Sequence, residues 1–174
     1  MRKKDWLNPK ITIRNSDIEG KGMFATLPIQ RGEKLIVWGG PEYTNKEGAM
    51  KAKEMGKIVM QWDEDLYSHE DPGSQDGYFT NHSCDSNSWV SDAFTMTARK
   101  DIAEGEELTI DYVLWEADET YIARWQCKCG VANCRGRVTG LDWRNPELQN
   151  RYKGHFSPLL NKRIETAKIR EGIF

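Results

Sequence analysis

The run Tyr78-Phe79-Thr80-Asn81-His82-Ser83-Cys84-Asp85-Ser86-Asn87 constrains this chain more than any other stretch. An aromatic pair is followed at once by small side chains that donate and accept hydrogen bonds, and one of the chain's four cysteines sits among them. Taken alone, Asn-His-Ser-Cys reads as a turn held by its own side chains. Three other segments give it company: Gly20-Lys21-Gly22-Met23-Phe24 near the start, Glu106-Glu107-Leu108-Thr109-Ile110-Asp111-Tyr112, and Cys127-Lys128-Cys129-Gly130-Val131-Ala132-Asn133-Cys134-Arg135-Gly136.

Composition narrows what these segments can serve. A chain of 174 residues forms one core but not two comfortable ones. It has neither an apolar run long enough to span a membrane nor a basic-apolar-small leader, so a cytoplasmic protein is expected, or a nuclear one in a eukaryote. Net charge is -2 and the pI about 6.0, so no global basic field holds the protein on nucleic acid, and sequence-specific nucleic-acid binding is not expected. Four cysteines allow two disulfides in an exported protein. Three of them crowd into residues 127–134, however, and close thiols in a reducing compartment more often bind metal.

In order and spacing, the four segments resemble the SET-domain protein-lysine methyltransferases carrying a C-terminal post-SET cysteine motif. The resemblance covers about residues 11–138. It implies a mainly β fold of several small sheets with few short helices. The Asn-His-Ser segment and the catalytic-tyrosine segment would cross in a knot-like arrangement, and a zinc-stapled segment followed by short helices would close the chain. It also implies S-adenosylmethionine as methyl donor, leaving S-adenosylhomocysteine. Tyr112 is the expected catalytic residue. Gly20, Lys21, Gly22, Met23, Asn81 and His82 are expected around the cofactor. Family members with this cysteine motif complete a structural zinc site with the cysteine of Asn-His-Ser-Cys, which implies Cys84, Cys127, Cys129 and Cys134 as four ligands. The substrate channel falls to Trp38, Tyr78 and Ile110. Trp38 stands where the family commonly has a tyrosine, Tyr78 where it often has Arg, and Ile110 where it often has Phe or Tyr, which leaves room for di- or trimethylation.

The chemistry suits those residue types. Displacing a methyl group from a sulfonium onto an amine is an in-line reaction in which positioning supplies most of the catalysis. The lysine must be neutral, although its reference pKa is about 10.4, and a dry aromatic channel lowers that value. A silent SET-like binding module is the alternative, but it would be expected to lose Tyr112 or Asn81, and both are present. The implied partner is a lysine-containing protein, a basic histone-like or ribosomal protein among the classes considered, with the enzyme a monomer or dimer.

The rest of the chain reads in order. Residues 1–10 look like a loose basic lead-in, 11–122 like the SET domain, 123–140 like the zinc segment and 141–174 like a helical extension. Strands are expected at Ile11–Ile13, Met23–Thr26, Lys34–Trp38, Ile58–Trp62, Trp89–Val90, Phe94–Ala98 and Leu108–Val113. Thr44-Asn45-Lys46-Glu47 has the form of a capping box opening a helix that Gly56 closes. Six carboxylates between Gln61 and Thr80, without Lys or Arg, read as a solvated loop and as an acidic margin that would attract a lysine-rich substrate. Asn145-Pro146 and Ser157-Pro158 look like helix starts, Gly154 and Gly172 like stops. Leu160, Ile164 and Ala167 form an apolar stripe suited to packing on the body or to a dimer contact. No cysteine-rich region precedes residue 11, which reads as a minimal stand-alone form.

Overall fold

The computed structural model describes residues 4–39 and 42–171. Short strands dominate. The larger sheet contains β1 (Trp6–Leu7), β2 (Ile11–Asn15), β3 (Lys21–Ala25) and β4 (Lys34–Val37). The strands β5 (Tyr43–Thr44), β6 (Ile58–Asp63) and β7 (Leu66–Glu70), with helix α1 (Lys46–Glu54) packed on them, form a separate three-stranded sheet in the order β5-β7-β6. Returning to the larger sheet, the chain adds β8 (Asn81–His82), β9 (Ser88–Asp92), β10 (Thr95–Ala98) and β11 (Glu107–Ile110), then ends in α2 (Pro146–Arg151) and α3 (Pro158–Glu171). The larger sheet runs β1-β4-β10-β9-β11-β3-β2, with β8 on β11.

Hydrophobic pattern accounts for most of these elements, and competing contacts account for the differences from expectation. The lead-in is not loose from Asp5 on. Trp6 and Leu7 pair with Val37 and Ile36, and the Asp5 carboxylate accepts the backbone N–H groups of Gly39 and Gly77. The expected loop after Gln61 contains β7, which pairs on both edges, with β5 and β6. Thr44 is engaged in the strand opposite Tyr67, so the helix cap passes to Asn45, whose Oδ1 accepts from Gly48 N at 3.0 Å. Gly56 does close this helix region, at a φ of 77°. The last expected strand stops at Ile110, where the chain turns into a 3-10 helix over Tyr112–Leu114. Both later helices begin as read, with Pro at the first position and Asn145 capping α2. Gly40, Pro41 and the stop at Gly172 lie outside the described residues.

The C-terminal helices belong to the main core. Tyr152, Phe156, Leu159, Leu160 and Ile164 lie in one apolar cluster with Met23, Ile36, Met96 and Leu108, and Ser157 N donates to Leu114 O at 2.7 Å. Leu160 and Ile164 are thereby buried within their own chain, the packing alternative for the apolar stripe. Because Leu160 is fully enclosed, Leu160→Ala is expected to lower unfolding stability by about 2–5 kcal/mol. Urea titration would read this as a lower midpoint at unchanged slope. A loss below about 1 kcal/mol would show the helix to be peripheral.

Candidate functional site

Strand β11 gathers the separated sequence motifs. Its first half pairs antiparallel with the glycine segment, Glu107 beside Phe24 and Leu108 beside Met23. Its second half pairs in parallel with β8, Thr109 beside Asn81 and Ile110 beside His82. Beyond Ile110 the Asp111 side chain accepts from Val113 N at 3.1 Å and caps the tight turn, which lifts Tyr112 off the strand. The Tyr112 hydroxyl then donates to the Thr80 carbonyl at 3.0 Å, and its backbone N–H donates to His82 Nδ1 at 3.3 Å. Burial pushes the Tyr112 phenol up to about 12 and the His82 imidazole down to about 4, so both are neutral near pH 7.

One side of this junction is polar. Asn81 Nδ2 faces Glu107 Oε1 at 2.8 Å, Ser16 Oγ and Lys21 O at 3.1 Å, and Glu19 O at 3.2 Å. An amide has only two N–H groups, so oxygens are left over as acceptors. Gly22 makes this crowding possible, because a Cβ there would lie 2.1 Å from Glu107 Oε1 and 3.1 Å from Asn81 Nδ2. Gly20 and Lys21 complete the loop, with Lys21 Nζ 5.7 Å from the centre of the Phe79 ring. The Met23 side chain is fully enclosed in the core, with its sulfur against Thr80 Oγ1, so only its backbone faces this loop. Surplus oxygen acceptors beside a glycine loop fit the ammonium group at the amino-acid end of S-adenosylmethionine.

The other side is a cavity of about 670 Å³. Trp38, Tyr78 and Ile110 all line it, together with Thr80 and Tyr112, and its far wall is the three-stranded sheet with α1. Trp38 meets Trp115 edge to face at 4.6 Å between centroids, and Trp125 closes on Tyr112 at 6.1 Å. Glu116 lines the same cavity, and burial raises its carboxyl above the ordinary range.

Four cysteines meet beside this junction. The Sγ atoms of Cys84, Cys127, Cys129 and Cys134 lie within 4.8 Å of one another, and Cys84 is 3.8 Å from Cys127. Tetrahedral thiolates about 2.3 Å from a zinc ion would stand about 3.8 Å apart, so the set fits that metal. None is in a disulfide. Arg135 N donates to Cys84 Sγ at 3.4 Å and Gly136 N to Cys134 Sγ at 3.3 Å, contacts that favour thiolates. At Cys129 burial is outweighed by the Val131 backbone N–H and neighbouring contacts, bringing the thiol to about 7, whereas burial raises the thiols of Cys84 and Cys127, so the cation's own charge is needed to ionise the whole set. His82 Nε2 lies 3.4 Å from Cys84 Sγ, and because Nδ1 accepts from Tyr112 N, the ring proton faces the sulfur.

A second link joins the cysteines to Tyr112. Arg135 follows Cys134 and reaches the fully buried Asp111, immediately before Tyr112, through Nη1 to Oδ2 at 2.8 Å and Nη2 to Oδ1 at 2.6 Å. Tyr152 donates to the same carboxylate at 3.2 Å, and Asp142 accepts from Arg135 Nε at 2.9 Å. Burial opposes the Arg135 charge, but Asp111 more than offsets it and holds the guanidinium above its ordinary pKa. The sequence reading missed Ser16, Thr80, Glu107 and Arg135. For Arg135 the available signal was a cation directly after a metal-type cysteine; Thr80 acts through its backbone, which no residue type announces. Arg135→Ala leaves Asp111 buried without its cation, at a cost of about 3–5 kcal/mol in a urea titration. Arg135→Lys, a single point donor, is expected to recover only part of it.

A family model described as SET domain matches residues 20–113, just over half of the chain. Histone-lysine N-methyltransferase ATX2 of Arabidopsis thaliana is 28% identical over 153 residues, covering 80% of this chain and 14% of that protein. Histone-lysine N-methyltransferase ash1 of Drosophila melanogaster is 29% identical over 143 residues, covering 72% and 6%. The chain thus spans only a small part of these relatives. The methyltransferase domain of human histone-lysine N-methyltransferase SETMAR superposes with a TM-score of 0.60 at 20% identity, over 75% of this chain and 58% of that one, a likeness of fold. With three motifs converging on β11 and more than half its length matched, this chain belongs to the SET-domain family.

Proposed function

We propose that this chain transfers a methyl group from S-adenosylmethionine to the side-chain amine of lysine in a protein substrate, leaving S-adenosylhomocysteine. The observation that carries the reading is the Tyr112 hydroxyl on the Thr80 carbonyl, where the polar loop and the aromatic cavity meet. When bound, S-adenosylmethionine supplies a methyl group on a positively charged sulfur. The oxygens around Asn81, with Gly20, Lys21, Gly22 and the backbones of Met23 and His82, hold the amino-acid end and the rest of the cofactor on the polar side. Trp38, Tyr78 and Ile110 exclude water from the lysine stem, which lowers the amine's pKa and favours the neutral nucleophile. Tyr112, protonated at working pH, and the Thr80 carbonyl orient the reacting groups. Ile110 presents no hydroxyl to hold a water, which supports room for higher methylation states.

The four thiolates are assigned to one structural zinc that fastens the segment carrying Trp125 over Tyr112. The substrate is a lysine-bearing protein, histone-like or ribosomal proteins being the first to screen, and the working place is the nucleus in a eukaryote and the cytoplasm otherwise.

Labelled S-adenosylmethionine and a panel of lysine-rich proteins test the activity. Wild type is expected to label lysine and Tyr112→Phe to fall by about a hundredfold or more while its cofactor affinity changes little. Equal transfer by both proteins would remove Tyr112 from the mechanism, and failure to bind the cofactor would sink the whole reading. For the metal, elemental analysis is expected to find one zinc per chain. Chelation should open residues 123–140 to proteolysis and abolish transfer. A protein equally protease-resistant and active after zinc removal would overturn the structural-zinc assignment.

A further inference from the structure

A second cavity, of about 820 Å³, lies between α2 and α3, and all of its lining but Glu64 comes from beyond the segment that matches the SET model. Its chemistry is the reverse of the chain as a whole. Residues 144–170 hold seven Lys or Arg against two Glu, a net +5, on a chain whose total is -2, so the remainder stands at -7. Some of these cations are already spent on the body. Arg144 pairs with Glu119 at 2.8 Å, Lys162 with Asp63 at 3.3 Å, and Arg163 with Glu64 at 2.7 Å. Three that line the cavity, Lys153, Lys168 and Arg170, are exposed and have no hydrogen bond or ion pair among the described residues.

The position of this groove decides what it can read. Glu64, Glu119 and Arg163 line both this cavity and the one that contains Tyr112. The two spaces therefore adjoin at a shared wall in which Arg144 and Arg163 neutralise Glu119 and Glu64, so an extended chain that has its lysine at Tyr112 and crosses this wall would enter a basic groove. We propose that the substrate is a charge-bipolar polypeptide, in which an acidic run to one side of the target lysine is bound by Lys153, Lys168 and Arg170. This rests on the lysine-methyltransferase reading and narrows its substrate class: a uniformly basic tail gains nothing from the groove. A nucleic acid is the less suitable occupant. Duplex binding draws on about 6–10 phosphate contacts, against three free cations here, and a backbone continuing past the groove meets a body of net -7.

The test reads binding separately from transfer. Fluorescent peptides carrying one lysine are titrated onto the zinc-loaded chain by anisotropy at low salt, with an Asp/Glu run before the lysine, the same run after it, or a Ser run. One acidic arrangement is expected to bind about tenfold tighter than the Ser peptide, three exposed pairs of modest strength each contributing. The advantage is expected to shrink with added salt and to vanish in Lys153→Gln/Lys168→Gln/Arg170→Gln, which binds the Ser peptide as wild type does. All three side chains are exposed, so the variant is expected to keep the wild-type urea midpoint. Equal affinity for acidic and Ser peptides overturns the proposal. So does tighter, variant-sensitive binding of a duplex oligonucleotide, which would assign the groove to phosphate. A preference seen without label transfer would instead place the failure in the methyl-transfer reading.

Discussion

The Asp111–Arg135 ion pair is the contact on which the rest of this molecule turns. A carboxylate with no solvent exposure is costly unless its lone pairs are met, and here Arg135, Tyr152 and Val113 N all reach it. Each partner arrives from a different element. Val113 belongs to the turn that presents Tyr112, Arg135 to the cysteine segment and Tyr152 to the end of α2. Desolvating one acid thus obliges three stretches of chain to be in place together. A buried pair is not by itself a gain in stability. Its effect here is to make the cysteine segment and the tyrosine turn mutually dependent.

A similar economy separates the two sides of the site. Thr80 and Asn81 are neighbours in sequence, yet the Thr80 carbonyl meets the Tyr112 hydroxyl beside the aromatic cavity while the Asn81 side chain faces the glycine loop. Because β8 lies parallel to β11, Tyr112 reaches back across that short segment and fixes its hydroxyl on the Thr80 carbonyl. The reaction proposed for the site needs two ligands of opposite character, one rich in polar groups and one threaded through a dry channel. Two adjacent residues, Thr80 at the end of the preceding 3-10 turn and Asn81 at the start of β8, supply that division without any intervening wall.

The C-terminal helices join the body that carries the SET motifs in two ways. Their apolar face completes the core, and their cations reach across to the Asp63–Glu64 turn of the smaller sheet, neutralising part of the acidic margin read from the sequence. Exposed pairs of this kind add little stability. They do fix where acidic and basic surfaces lie, leaving carboxylates toward the aromatic cavity and free cations beyond them.

Legible in the residues alone were the family, the mainly β class, the meeting of the glycine, Asn-His-Ser-Cys and Asp-Tyr segments, and the cysteine set. Those follow from a resemblance carried by residue types whose chemistry is local: thiols at metal-type spacing, glycines that admit a close backbone, and a tyrosine and an asparagine among polar neighbours. The remaining features needed the folded chain, because they are carried by groups without a local signature. The Thr80 carbonyl is a backbone atom, the Arg135–Asp111 pair spans 24 residues of sequence, and Ser16 with Glu107 spans 91. Strand β7 was hidden because its acidic neighbourhood resembles a loop until pairing on both edges outweighs intrinsic preference. The helical extension looked separable because its stripe is short, and only the shape of the core, with space for Tyr152, Phe156 and Leu160, made it part of the body.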